Sequence, residues 1–358
     1  MIIPKTEGIK YAGSKLKLLP SIFEMVNELK DVDTVLDGFS GSTRVSQAFA
    51  QLGYSTTSND ISVWSEVFAT CYLISSQTDE YYQQLIDHLN NLPGTDGWYT
   101  AHYGGSEGET KKPFQIKNAR KLDAIRDEIE ILNLAYADKC VLLTSLIYAL
   151  DRVDSTLGHY AAYLSDWSPR SYHDLKLMLP LRFTLEGNNR VFRDDIFNTV
   201  ANNRFDLVYL DPPYGSNNEK MPPSRVRYAS YYHLWTTIIQ HDKPVLFGKA
   251  NRREDSRDDR SASVFEEFRK NETGDFLAMN AIQRLVEETK AHYLLLSYSS
   301  GGRATKQQLI DILSGSGKLL EVKLIDYKKN VMSNMHTTKE WISGDEKHHE
   351  YLFLMEKL

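Results

Sequence analysis

At one point the chain reads Leu210-Asp211-Pro212-Pro213-Tyr214, directly after the hydrophobic run Phe205 to Leu210. A central strand cannot continue through two prolines, because neither offers an amide hydrogen to the ladder, so the chain must leave its sheet rigidly there. In an open α/β sheet, that carboxyl edge is where ligands bind. The residue types suit activation of an exocyclic aromatic amine, a poor nucleophile because its lone pair is delocalised into the ring. A carboxylate (Asp211) and a fixed carbonyl (Pro212) accepting the two amino hydrogens draw the nitrogen towards tetrahedral geometry. Tyr214 can stack on the ring and hold the attack geometry. This chemistry calls for no metal.

Three strand-like runs, each closing on an acidic or Gly-rich turn and followed by a helical pattern, read as βα units of a parallel sheet. The first is Thr34 to Leu36, closing on Asp37-Gly38-Phe39-Ser40-Gly41 before a helix from about Thr43 to Leu52. The second is Tyr54 to Ser58, closing on Asn59-Asp60, and the third ends at Asp211. Gly38 and Gly41 let the backbone approach a ligand, here a methyl donor expected beside the Asp211 turn. Asp60 is placed to accept from ribose hydroxyls. The missing GxGxxG pattern argues against a nicotinamide or flavin dehydrogenase. Later strands are expected at Pro244 to Phe247, Tyr293 to Tyr298, Leu319 to Ile325 and Glu350 to Met355, the last two as an antiparallel edge pair. Between Asp60 and the third strand the βα rhythm is absent. That block holds a Gly-rich loop from Pro93 to Gly108, a basic run, and an apolar helix from about Ala119 to Leu150. The expected organisation is a catalytic domain in two pieces, 1–60 and 187–358, around an insertion at 61–186.

The 358 residues are 41% hydrophobic and carry 42 Lys+Arg against 48 Asp+Glu, a net charge of −6. This composition excludes disordered, collagen-like and disulfide-scaffold classes. Two cysteines, Cys71 and Cys140, without CxxC spacing, argue for a reducing compartment and against structural zinc. Met1 to Lys10 has no apolar h-region, and the run Cys140 to Leu150 is too short to cross a bilayer, so the expectation is a cytoplasmic protein with no membrane partner. No oligomer is predicted. His348 and His349 are adjacent on a strand and point to opposite faces, which argues against a shared metal site. The acidic balance speaks weakly against a polyanionic partner, but local distribution matters more. Between Lys111 and Arg126 lie six basic residues (Lys111, Lys112, Lys117, Arg120, Lys121, Arg126) against Asp123 alone, and a second cluster is Lys220, Arg225 and Arg227.

Lys10-Tyr11-Ala12-Gly13-Ser14-Lys15 with Leu18-Leu19-Pro20, then Asp37 to Gly41, then Asp60, then Asp211 to Tyr214 form an ordered set. From the N-terminus to the final strands, the chain resembles the Dam-type, alpha-group adenine-specific DNA methyltransferases. The resemblance implies a Rossmann-like α/β fold with a mostly parallel sheet, an antiparallel edge strand and an inserted helical and loop target-recognition domain. It implies S-adenosylmethionine as donor, and methylation of the 6-amino group of an adenine flipped out of double-stranded DNA. Carried over, Tyr11 and Lys15 cup the methionine end of the cofactor. Asp37, Phe39 and Gly41 form its turn, and Asp60 is the ribose acid. Asp195-Ile196 contact the cofactor's adenine, with Asp194 leaving the register open between two acids. Asp211, Pro212 and Tyr214 are catalytic, Asp211 also facing the cofactor, and Ser297 to Gly302 lie near the target base. Thr43 and Ser14 stand where the family usually has glycine.

Lys111, Lys112, Lys117, Arg120, Arg152, Arg225 and Arg227 are the expected DNA contacts, Arg152 alternatively a buried ion pair with Asp151 or Asp154. Tyr231, Tyr232 and His233 line the target-base pocket or belong to the aromatic core. A cognate restriction endonuclease is a candidate partner. The rival readings are an RNA adenine methyltransferase, a non-catalytic DNA-binding module on the same scaffold, and a different Rossmann-like oxidoreductase.

Overall fold

A computed structural model of the chain describes residues 3–106, 108, 111–215, 227–257, 263–327 and 348–357. Its principal strands are β1 (Thr34–Asp37), β2 (Ser55–Asn59), β3 (Arg190–Phe192), β4 (Phe205–Leu210), β5 (Ala291–Ser299), β6 (Gly317–Tyr327) and β7 (His348–Lys357). The mostly parallel α/β class expected from the sequence is the one found. The chain divides into two compact units, one of Met1–Leu19, Ser40–Arg193 and Arg227–Ser261, the other of Pro20–Phe39, Asp194–Val226 and Ala262–Leu358.

In the second unit β4 pairs in parallel with β1 (Leu36 opposite Val208) and with β5 (Leu210 opposite Leu296). β7 runs antiparallel between β5 and β6, the edge arrangement expected of residues 319–325 and 350–355. The strands are apolar because helices cover them. Val208, Leu210, Leu294, Leu296 and Phe353 are buried in one core with Ile282, Leu285 and Leu309 from the helices Ala278–Glu288 and Lys306–Ser316. The latter helix begins at a capping box in which the Thr305 hydroxyl accepts from the Gln308 amide and the Gln308 side chain reaches back.

In the first unit β2 pairs in parallel with β3 (Ser58 opposite Val191). β3 falls in a block where no βα rhythm was expected, a three-residue element too short for periodicity to reveal. β2 also departs from the expected apolar run: Ser55-Thr56-Thr57-Ser58-Asn59 is polar throughout, yet Thr56 to Asn59 are buried. Its hydroxyls find partners close by, Thr56 Oγ1 donating to the Tyr54 carbonyl at 3.1 Å and Ser46 Oγ donating to Ser58 Oγ at 3.1 Å. Burial therefore carries little desolvation penalty.

The expected single helix over 119–150 is two helices, Ile116–Ile131 and Tyr136–Val153. The chain turns between them at Asn133, φ +45°, a conformation asparagine tolerates. Both pack with Val63–Leu73 and Asp79–Asn91 around Phe68, Tyr82, Leu122, Ile125, Leu146 and Trp235. The strand expected at Pro244 to Phe247 shrinks to Leu246–Phe247, paired with Arg252–Arg253. Pro244 offers no amide hydrogen and Val245 is exposed, its carbonyl accepting from the Glu254 amide at 3.0 Å, so the ladder does not extend back through Pro244. Among the described residues, no helix is long and apolar enough to cross a membrane.

Candidate active site

In the second unit, β4 delivers Asp211 as the sheet ends, and the Asp211 to Gly215 turn is fixed by β5 and the loop that follows it. The Tyr214 carbonyl accepts from the Arg303 amide at 3.0 Å and from the Tyr298 hydroxyl at 3.2 Å. Gly215, at φ +63°, lies against the Arg303 side chain, where a Cβ would collide with the guanidinium. The Arg303 guanidinium in turn sits over the Phe276 ring at 5.2 Å. The Tyr214 ring packs on Tyr298 with centroids 4.8 Å apart. Its hydroxyl donates a short hydrogen bond to Asp211 Oδ1 and stands 3.4 Å from Glu350 Oε2 and 3.5 Å from Ser297 Oγ. Burial, then the charges of Asp211 and Glu350, hold the Tyr214 phenol well above its usual pKa, so it is a donor at neutral pH. Glu350 was not singled out from the sequence as a site residue. Its only signal there is a charge at the head of the apolar run Tyr351 to Met355.

The same unit holds Asp37, buried, at the end of β1. The Gly38 amide donates to the Tyr209 carbonyl at 2.9 Å, and a Cβ at Gly38 would come within 2.9 Å of Ile196 Cδ1 and Leu210 Cδ2. Glycine is required there for close packing rather than for a left-handed turn. Phe39 packs edge-on against Phe265 (5.3 Å, 88°). Of the two tandem acids, Asp195 caps the helix Ile196–Asn202 by accepting from the Phe197 amide at 2.9 Å, while Asp194 accepts from the Asp195 amide at 2.7 Å.

In the first unit, the Asp60 carboxylate is gripped by backbone. Oδ2 accepts from the Gly41 amide at 2.9 Å and Oδ1 from the Ser62 amide at 2.8 Å. Burial raises its pKa and these amides oppose the rise. Gly41 has φ +47°, and an added Cβ would lie 2.9 Å from Tyr11 Cε1. Tyr11 is stacked on Tyr232 (4.8 Å, 15°) and on Tyr228 (5.5 Å, 27°). The Ala12 amide donates to the Tyr232 hydroxyl at 2.7 Å. Lys15 is buried at 6% exposure. Thr43, in place of a glycine, adopts φ +62°, and its amide donates to the Ser40 carbonyl at 2.6 Å. Its hydroxyl accepts from the Gln47 side chain at 3.0 Å. Tyr232 and His233 are fully buried and Tyr231 is half-buried, with Tyr232 stacked on Trp235 at 4.1 Å.

The basic run has structural partners. Arg126 is fully buried and ties down the end of the helix His233–Gln240, donating to the carbonyls of Ile238 (2.6 Å) and Ile239 (3.1 Å). Lys117 reaches Asp174 at 2.5 Å, Arg120 reaches Asp96 at 2.7 Å, and Lys112 donates to the His102 carbonyl at 2.9 Å. Lys111 is exposed at φ +73°. Arg152 is exposed and donates to the Lys176 carbonyl at 3.0 Å. The buried acids Asp151 and Asp154 pair instead with the exposed Lys10, and Asp154 also with the half-buried Arg170. Arg227 is buried, and its Nε and Nη1 have no hydrogen-bond partner among the described residues. Lys220 and Arg225 lie outside the described residues.

Asp154 is 1% exposed, and burial outweighs Arg170, pushing its carboxyl up to about 6. A carboxyl whose pKa is higher folded than unfolded binds more protons in the native state between the two values. Its stabilising contribution is therefore full at low pH and lost as pH rises through about 6. Denaturant unfolding from pH 4 to 7 is expected to show wild type losing roughly 2–3 kcal/mol relative to Asp154→Asn across that interval. Parallel profiles for the two proteins would remove Asp154 from this role.

A family model described as D12 class N6 adenine-specific DNA methyltransferase matches residues 11–299. The chain is 30% identical to the modification methylase StsI of Streptococcus sanguinis, over 93% of this chain and 50% of that one. It is 27% identical to the type II methyltransferase M.FokI of Planomicrobium okeanokoites (98% and 53%). It is 26% identical to the type II methyltransferase M.NlaIII of Neisseria lactamica (98% and 99%). The chain thus spans about half the length of the first two and nearly all of the third. A family match running from Tyr11 through Asp60 and the Asp211 turn to Ser299 covers the motifs described above, and the chain belongs to the D12 class N6 adenine-specific DNA methyltransferase family.

Proposed function

We propose that the protein transfers a methyl group from S-adenosylmethionine to the 6-amino group of an adenine turned out of duplex DNA. The observation that carries this reading is the Asp211 carboxylate at the carboxyl end of β4, followed by two prolines and a tyrosine anchored through its carbonyl, in a chain of this family. Asp211 and the Pro212 carbonyl accept the two amino hydrogens, and the Tyr214 ring stacks on the base. The amine must then take over from the Tyr214 phenol as donor to Asp211.

The donor's contribution, when bound, is a methyl carbon made electrophilic by a sulfonium. The residues fit such a ligand. Gly41, with no Cβ, lets the Tyr11 ring lie directly against its backbone, and Asp60 is held by backbone amides with lone pairs left for ribose hydroxyls. Lys15 meets the carboxylate end, and Asp37, Phe39, Asp195 and Ile196 complete the cofactor contacts. Residues 61–186 serve target recognition. There Lys111, Lys112, Lys117, Arg120 and Arg152, with Arg225 and Arg227 beyond the block, contact phosphates, and Lys112, Lys117, Arg120 and Arg152 exchange their present partners for DNA. The names of the relatives support a place beside a cognate restriction endonuclease.

Purified protein incubated with methyl-labelled S-adenosylmethionine and either duplex DNA or RNA is expected to label adenine in duplex DNA alone. Label in RNA alone would favour the RNA methyltransferase. Donor binding without transfer to either would favour a non-catalytic DNA-binding scaffold.

A further inference from the structure

Within the second unit, Tyr214 stands between two carboxylates. Its hydroxyl donates to Asp211 Oδ1 while Glu350 Oε2 lies 3.4 Å away, and Ser297 Oγ completes the surround at 3.5 Å. Glu350 is 9% exposed near the start of β7, opposite Ser299 of β5. A carboxylate this deeply buried, at the head of the apolar run Tyr351 to Met355, is costly unless it is paired or hydrogen-bonded, and the Tyr214 hydroxyl is one donor within its reach. Burial, then the charges of Asp211, Asp37 and Glu350, hold the Tyr209 phenol well above its usual pKa.

We infer that Glu350 is a positioning residue for methyl transfer, the acceptor to which the Tyr214 hydroxyl moves when an adenine amino group claims Asp211. This rests on the function proposed above. The phenol and the amine are both donors to Asp211, and an amine brought up to Oδ1 competes there with the phenol already held short against it. Breaking the Tyr214 bond with no replacement would strand a buried hydroxyl and charge that cost against base binding. At 3.4 Å from Glu350, the hydroxyl needs only a small shift, with the ring still against Tyr298 and its carbonyl still held by Arg303 and Tyr298. The exchange keeps every donor matched to an acceptor before and after the base arrives.

Steady-state methylation of duplex DNA by wild type, Glu350→Ala, Glu350→Gln, Tyr214→Phe and Tyr214→Phe/Glu350→Ala tests this. Loss of the receiving acceptor is expected to raise KM for DNA about tenfold in Glu350→Ala, with kcat within about twofold, the cost of one unreplaced hydrogen bond. Glu350→Gln, whose amide oxygen still accepts, is expected to recover most of that loss. In the Tyr214→Phe background there is no hydroxyl to rehouse, so adding Glu350→Ala should change KM less than about twofold.

An equal penalty in both backgrounds, or no penalty in either, overturns the inference. Thermal stabilisation by S-adenosylmethionine checks that each variant is folded, and Glu350→Gln carries the test if the alanine variant is not. Wild type that binds donor and labels no DNA overturns the underlying function, a result distinct from active wild type with an indifferent Glu350.

Discussion

Asp211→Ala is expected to lower methyl transfer to duplex DNA by at least about 10³-fold while leaving S-adenosylmethionine binding within a few-fold of wild type. The carboxylate closes β4, and the turn after it is anchored through the Tyr214 carbonyl rather than through the Asp211 side chain. Truncation should therefore leave the backbone in place and remove only the acceptor. Without it, one amino hydrogen has no charged partner, and the nitrogen keeps its lone pair in the ring. Asp211→Asn separates charge from shape, since its carbonyl still accepts while its amide can turn a donor towards the amine. It should fall well below wild type. Single-turnover transfer with donor bound beforehand measures the effect, and activity within tenfold of wild type in either variant would take Asp211 out of its assigned role.

Asp60→Ala should act on the other ligand. The carboxylate is fixed by the Gly41 and Ser62 amides, so it presents its remaining lone pairs in a set direction. Its removal deletes the partner of ribose hydroxyls and also strands two backbone donors at the turn that has to approach the donor. Hydrogen bonds to a charged group contribute about 1.5–3 kcal/mol, so Kd for S-adenosylmethionine is expected to rise on the order of 10²-fold. With donor in excess, kcat should change little. Calorimetric titration reads the affinity directly. Because burial lifts the Asp60 pKa, affinity should also begin to fall on acidification at a higher pH than for an exposed carboxylate. Unchanged affinity in Asp60→Ala would separate this acid from the cofactor.

The Asp211 turn was legible because its logic is local: an apolar strand, two prolines and an aromatic follow one another in the chain. The same holds for β1 and its Gly-rich turn, and for the antiparallel pair at 319–325 and 350–355. β2 was harder to read, since Ser55 to Asn59 are buried through hydroxyl pairing rather than through apolar character. The basic run was legible only as a count. A count of cations cannot distinguish Arg126, which closes a helix end in the core, from Lys111 on the surface. Glu350 was invisible as a neighbour of Asp211, because 139 residues separate them and only strand order in space brings them together.

That strand order has a consequence for how such a polypeptide is made. β7, built from residues 348–357, fits between β5 and β6, both of which precede it in sequence. While the ribosome is still translating residue 340, β5 therefore presents a bare edge rich in leucine, open to annealing with any passing strand. Chaperone capture during synthesis, and the clumping of nascent chains halted before that point, should both centre on residues 291–299.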